Sequence, residues 1–290
     1  MALEAGRLSH LRQEGGFFFP GPRTRLRVTG ADRVRYLNGQ VSNDLRKLVP
    51  GQALRALVLT AKGKLCADIF VWQENEALLI DADISLAEIL PARLERYAVA
   101  DEVGFELLPS DSSACHAFGP AAASLSGIRL PRLGAEGVDL PAPPPHLREA
   151  SPAEVELLGI ERGVPQWGRE LTTETLPQEA GLERTAVDFH KGCYVGQEVV
   201  SRIQSAGRVN RHLVGFTGDF DPDKSASAVL MSTAGEKVGW LGRAARHPEL
   251  GKTVALGYVL ARCEDSSFSV VDESGACLGR AERSEFPLVS

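Results

Sequence analysis

The sequence lacks any run of about 18 apolar residues, the length a membrane-spanning helix needs. Phe17-Phe18-Phe19 stops at Pro20, and the apolar stretch from Ala77 to Leu90 is broken by Asp81 and Asp83. No membrane partner is expected. The segment from Met1 to Gly16 carries Glu4 and Glu14 and has no apolar core of a secretory signal, which predicts a cytoplasmic protein. A basic surplus is missing as well: 32 Lys and Arg face 38 Asp and Glu, a net charge of -6. Proteins that neutralise many phosphates carry the opposite balance, so nucleic acid is not expected either. Arg208, Arg211 and His212 form a local basic cluster that reads as a solvated face. The 5 cysteines are odd in number and show no C-x-x-C, and no H-E-x-x-H occurs. Neither a secreted disulfide framework nor a built-in metal centre is supported, and reduced thiols are expected.

What is present is a globular composition, 43% hydrophobic and 24% charged over 290 residues. Leu26-Arg27-Val28 reads as a strand, and Val34, Leu37 and Val41 as a short helix that Gly39 should end. Leu54 to Thr60 and Leu65 to Trp72 flank Lys62-Gly63-Lys64, a hairpin signal. Ala77 to Ile80 is a further strand. Ser85 with Glu88 predicts a capping box that opens a helix. Leu86, Ile89, Leu90, Leu94 and Tyr97 supply its buried stripe, with a kink at Pro91. Phe105 to Leu108 is another strand. From Ser110 to Pro145 Gly, Ala and Pro accumulate, which predicts a loose connection. Ser151-Pro152-Ala153-Glu154 is the clearest helix start, and Gly163 and Pro165 end that helix. After Arg208, short Val/Leu/Phe-rich segments alternate with turns, which predicts a small β-barrel or sandwich.

Lys191-Gly-Cys-Tyr-Val-Gly-Gln-Glu198 is the densest chemical constellation. Gly192 and Gly196 permit positive φ or close backbone approach. Gln197 begins a helix. A thiol near a helix start and a lysine becomes a better thiolate, which makes Cys193 a candidate reactive group. The alternative is an inert cysteine in a tight turn. Asp68 sits among apolar residues on a strand, either outward-facing or in a cleft. Asp139, Glu161 and Glu179 lie near glycines or prolines and by default are loop acids. Trp167 reads as core.

The octapeptide resembles the signature of the YgfZ family over its full length. Ile160-Glu-Arg-Gly-Val-Pro-Gln-Trp-Gly168 and Thr175-Leu-Pro-Gln-Glu-Ala-Gly181 resemble the stretches that lead into it. Tyr36-Leu-Asn-Gly-Gln-Val-Ser-Asn-Asp-Leu45 and Ala61-Lys-Gly-Lys-Leu-Cys-Ala-Asp68 resemble the family's opening and hairpin. The resemblance implies an α+β, aminomethyltransferase-like folate-binding fold with a C-terminal antiparallel β-barrel. Its folate region would span residues 1–207, with subdomains at about 25–110 and 111–207, and the barrel 208–290. It implies tetrahydrofolate or a one-carbon derivative as ligand, and iron–sulfur enzymes or their assembly proteins as partners. Cys193 with Lys191 would be the working site. Gly192, Tyr194, Gly196, Gln197, Glu198 and Glu179 join it as candidate ligand-binding residues.

In the same picture Asp139 or Glu161 would pair with the pterin and Asp68 would sit near its reactive end. Lys191, Arg202 or Arg208 would meet the glutamyl tail, and Cys193 would face the cavity or its rim. Two adjacent acids mark the transferase hairpin, where this chain has Ala67 then Asp68. That departure argues for an accessory factor and leaves one-carbon transfer as the alternative.

Overall fold

The computed structural model describes residues 4–110, 114–225 and 228–289. Its helices are α1 (Ala5–Gln13), α2 (Arg33–Gln40), α3 (Ile89–Glu95), α4 (Pro152–Glu161), α5 (Glu183–Ala186) and α6 (Gln197–Ala206). Its strands begin with β1 (Gly16–Phe18), β2 (Arg23–Thr29), β3 (Leu54–Leu59), β4 (Leu65–Glu74), β5 (Ala77–Asp83) and β6 (Gly104–Leu108). There follow β7 (Cys115–Phe118), β8 (Ile128–Arg129) and β9 (Gly137–Leu140). The last six are β10 (Arg211–Phe220), β11 (Val229–Met231), β12 (Lys237–Arg246), β13 (Thr253–Leu260), β14 (Ser267–Val271) and β15 (Cys277–Ser284).

The first sheet has the order β3-β4-β5-β2-β6, with antiparallel neighbours. Both faces of its hairpin are covered, which is why the end of β3 is buried without alternation. Ala56, Val58, Ala67, Ile69 and Val71 meet Leu37 of α2 and Leu90 and Leu94 of α3. On the other face Leu57, Leu59 and Leu65 meet Ala186 of α5, Tyr194 and Val200 of α6.

Several local expectations change here. α2 runs through Gly39 to Gln40. Ser85 caps no helix: its amide is bound by Asp83 in a 3-10 turn, and α3 starts at Ile89. Pro91 therefore falls at the third helical position, where an amide has no intrahelical partner to lose. The buried stripe is Leu86, Leu90 and Leu94, whereas Ile89 is 60% and Tyr97 46% exposed.

The stretch expected to be a loose connection forms a second antiparallel sheet of order β1-β7-β9-β8. Its strands are two to four residues long, too short to display alternation, and one comes from residues 16–18. Residues 111–113 of the stretch lie outside the described residues.

The helix start at Ser151 is as read: Ser151 Oγ accepts from Glu154 N, and Glu154 accepts from Ser151 N at 2.7 Å. Leu157, Leu158 and Ile160 of α4 pack on Leu8 and Leu11 of α1 and on Val254 and Leu256 of β13. The C-terminal strands close a six-stranded antiparallel barrel, β10-β13-β12-β11-β14-β15, filled by Phe216, Leu230, Leu241, Val259, Phe268 and Val270.

Candidate functional site

A cavity of about 420 Å³ opens between the first sheet, the second sheet and α4. That volume lies in the range of small-molecule sites. Phe18, Phe70 and Trp167 contribute aromatic faces. Trp167, read from the sequence as core, does pack on two apolar clusters, but it also lines this cavity.

Asp68 reaches the cavity because it alternates with Ala67 and Ile69, which point into the core on the opposite face of β4. Arg55 stands opposite Phe70 on β3, diagonal to Asp68. Its guanidinium grips both Asp68 oxygens, at 2.9 and 2.7 Å, and lies 5.9 Å from the Phe70 ring centroid. This fork-on-fork pairing fixes the carboxylate in plane and orientation.

Arg132 forms another part of the wall and ties the two sheets together. It donates to Asp81 of β5 at 2.8 Å and to Asp139 of β9 at 3.0 and 2.5 Å. Asp81, with no exposed surface, also accepts from Arg23 and Arg25. Burial opposes its ionisation, but the arginines outweigh it and hold the carboxyl well below the usual range. Asp139 is likewise opposed by burial, then held down to about 2 by His116 and Arg132. Burial pushes the His116 imidazole down, so the neutral ring donates its Nδ1–H to Asp139 at 2.8 Å.

This network predicts acid sensitivity. A carboxyl held down in the fold stabilises it above the ordinary value, and that contribution is lost as pH falls through 3.8 towards about 2. For Asp139 the loss is about 2 kcal/mol. His116 acts in the same direction, because the unfolded chain charges below 6.5 while the folded ring resists protonation. Urea midpoints measured from pH 7 to 2 should fall, and Asp139→Asn should flatten the acid limb below pH 4. An unchanged limb in that variant would remove Asp139 from the account.

Asp139 is thus a structural ion-pair residue. It does not line the cavity, and its oxygens are taken by Arg132 and His116. Glu161 is corrected in the same way. It sits at the end of α4, buried, and accepts from Arg12 at 2.9 Å and His247 at 2.9 Å. Burial opposes its charge, yet these donors hold its carboxyl below the usual range. The pair joins α1 and the barrel to α4. Glu179 is buried too, spent on the Leu176 amide and on Arg211 at 3.0 Å.

The residues missed by sequence reasoning are Arg55, Arg132 and Glu156. Glu156 projects from α4 into the cavity, 33% exposed and 3.5 Å from Arg243. Counting register across the hairpin would have found Arg55. Nothing local in the sequence marks Arg132. Arg23, Arg55 and Arg132 are each engaged by an aspartate, whereas Glu156 keeps accepting capacity. The cavity thus suits a flat ligand that presents N–H donors.

The cysteine motif lies elsewhere: none of residues 191–198 lines the cavity. Cys193 is exposed. Lys191 is not. Its ammonium donates to the carbonyls of Asn38, Val41 and Asn43 at 2.6, 2.7 and 2.8 Å. Burial pulls it down to about 8, against Asp44 and Asp188. With three N–H groups spent, Lys191 can neither activate the thiol nor bind a ligand tail. It anchors the loop to the end of α2.

Gly192 has an ordinary φ and no close neighbour, so neither reason given for it applies. Gly196 needs its φ of 88°, and a Cβ there would stand 2.6 Å from the Thr60 carbonyl at the hairpin tip. Tyr194 is buried, its hydroxyl pushed up to about 12 by burial. Gln197 Oε1 accepts from the Tyr194 amide at 3.3 Å, while Glu198 and Arg202 are exposed on α6. Among the described residues no group of three or more His, Cys, Asp or Glu is arranged to hold a metal, and no helix is long and apolar enough to cross a membrane.

No protein-family model matches the chain. Among curated proteins it is 29% identical over 223 residues to an iron–sulfur cluster assembly factor IBA57 homologue of Pyricularia oryzae, covering 69% of this chain and 56% of that protein. It is 27% identical to the mitochondrial aminomethyltransferase of Gallus gallus, covering 87% of this chain and 76% of that one. It is 28% identical to the tRNA-modifying protein YgfZ of Yersinia pestis, covering 73% and 72%. The chain spans little more than half the length of the fungal relative. The solved aminomethyltransferase T of the Bartonella henselae glycine cleavage system superposes with a TM-score of 0.81 at 20% identity, over 98% of this chain and 89% of that one. The fold is therefore that of aminomethyltransferase T. In sequence the chain is similar to YgfZ, to IBA57 homologues and to the aminomethyltransferases, and it shares the fold of aminomethyltransferase T.

Proposed function

We propose that the chain is a tetrahydrofolate-binding accessory factor that supports assembly or repair of iron–sulfur enzymes, without one-carbon turnover of its own. The cavity supports the ligand class. Aromatic walls suit a planar heterocycle, and the carboxylate of Glu156 suits its adjacent N–H donors. Ala67 carries the choice against the transferase, because it stands where the transferase hairpin has the first of two adjacent acids, and only Asp68 remains. Arg55 pairs with both oxygens of that single acid and fixes its orientation. The relatives that bear assembly-factor names support the partner class. Cys193, exposed and outside the cavity, suits thiol chemistry on a partner protein rather than on the folate. Unpaired cysteines suit a reducing compartment, in our reading the cytoplasm.

Anaerobic calorimetric titration with tetrahydrofolate should give saturable binding near one-to-one. Glu156→Gln should weaken it about tenfold with little change in thermal midpoint, the loss expected for a charge-assisted hydrogen bond. No binding by the native chain would end the folate reading. Release of formaldehyde or methylene transfer by the purified chain would replace the accessory reading with the transferase.

A further inference from the structure

A second cavity, of about 390 Å³, lies where α5 and α6 meet the barrel. None of its lining residues lines the first cavity. Part of its wall is hydrocarbon: Ile203 of α6, Val209, Leu213 of β10 and Phe286, all partly exposed. Another part offers acceptors. Glu183 begins α5, and Gln178 sits in the 3-10 turn Pro177–Glu179. Each holds a buried oxygen, Gln178 Oε1 and Glu183 Oε2, that accepts from no donor among the described residues. Such oxygens have lost water and gained no partner. The Gln178 amide is fixed in orientation, because its Nε2 donates to the Val200 carbonyl at 2.8 Å, where an oxygen would repel. The Glu183 carboxylate is held by little. Its other oxygen meets Arg184 Nε at 3.4 Å, and that arginine is 83% exposed, so the carboxylate can turn into the cavity. Glu179 in the same wall is already answered by Arg211 at 3.0 Å, and His212 is exposed on β10. Glu183 is the charge of this wall that the fold leaves most weakly paired.

We propose that this second cavity is a binding site for a small organic cation, a protonated amine, amidine or guanidine on a short apolar body. The N–H groups of such a head supply the bonds missing at Glu183 Oε2 and Gln178 Oε1, and its charge meets the Glu183 carboxylate partly shielded from water. The apolar body covers Ile203, Val209, Leu213 and Phe286. An anion would bring further lone pairs to oxygens that need donors. A neutral apolar ligand would leave both oxygens unpartnered. The site stands apart from the folate reading, since it uses no residue of the first cavity.

The test titrates the full chain with benzamidine and with benzamide, which share a ring and a planar head and differ in charge. Benzamidine should bind saturably at one-to-one, about tenfold tighter than benzamide, the worth of a charge-assisted hydrogen bond. Glu183→Gln keeps size and acceptor and removes the charge. It should weaken benzamidine about tenfold and leave benzamide within about twofold of the native chain. Its thermal midpoint should not fall, because Oε2 has no protein donor to lose. Ile203→Ala should weaken both probes about threefold through lost apolar cover. Equal affinity of the native chain for the two probes would overturn the proposal, whatever the variants do. So would benzamidine binding that Glu183→Gln leaves unchanged, or that Glu156→Gln abolishes, since the amidine would then sit in the first cavity. Sensitivity to Glu183→Gln without sensitivity to Ile203→Ala would reduce the contact to a surface ion pair outside the cavity and overturn it as well.

Discussion

Arg243→Met should lower the stability of the chain by about 3–5 kcal/mol, the cost of breaking a buried ion pair from one side. Arg243 of β12 and Glu170 are 1% and 0% exposed at the side chain, with Nε 3.0 Å from Oε2. The guanidinium also donates to the Val164 carbonyl, and Glu170 accepts from the Arg243 and Gln166 amides. This cluster docks the barrel onto the segment that follows α4. Without the arginine, a carboxylate remains enclosed with only backbone donors. Equilibrium urea unfolding should show the loss as a lower midpoint with little change in slope. The double variant Arg243→Met with Glu170→Leu should recover part of it, because no charge is then stranded, but not all, because two amides lose their acceptor. A single-variant loss below about 1 kcal/mol would mean that water reaches the pair and screens it.

Cys193→Ser should abolish support of iron–sulfur enzymes in cells that lack the native protein, while the thermal midpoint and tetrahydrofolate affinity stay as they were. The thiol is exposed, so removing sulfur opens no cavity, and the motif does not line the cavity between the two sheets and α4. Enzyme activity in complemented cells would be read beside calorimetry and a melting curve. Retained activity would remove the thiol from the function. A large fall in stability would instead mean that Cys193 is a packing residue. Any loss of folate affinity would mean that the loop and the cavity communicate, for which the β3–β4 hairpin is the available route. Its strands carry Arg55 and Asp68, and its tip lies against Gly196.

Local signals were legible where the chemistry is local. Ser151 and Glu154 satisfy each other's backbone within one turn, so their spacing suffices to place α4. The hairpin around Gly63 and the evenly spaced barrel strands were readable for the same reason: turn residues and alternation act over a few positions. The second sheet was not, because strands of two to four residues carry too little pattern and one of them arrives from residues 16–18.

The candidate site divides along the same line. The motif around Cys193 and the strand that bears Asp68 stood out in the chain. What each side chain does was decided by partners distant in sequence. Lys191 turns inward because three carbonyls at 38, 41 and 43 lose their water there and need donors. Glu161 and Asp139 are withdrawn from ligand binding by Arg12, His247, Arg132 and His116. Phe19, Arg55 and Glu156 become a cavity only when β1, β3 and α4 meet. Residue type and spacing set which local structures form and which reactive groups exist. Burial set their availability, because a charged or polar group taken out of water must spend its hydrogen bonds on whatever the packed chain brings beside it.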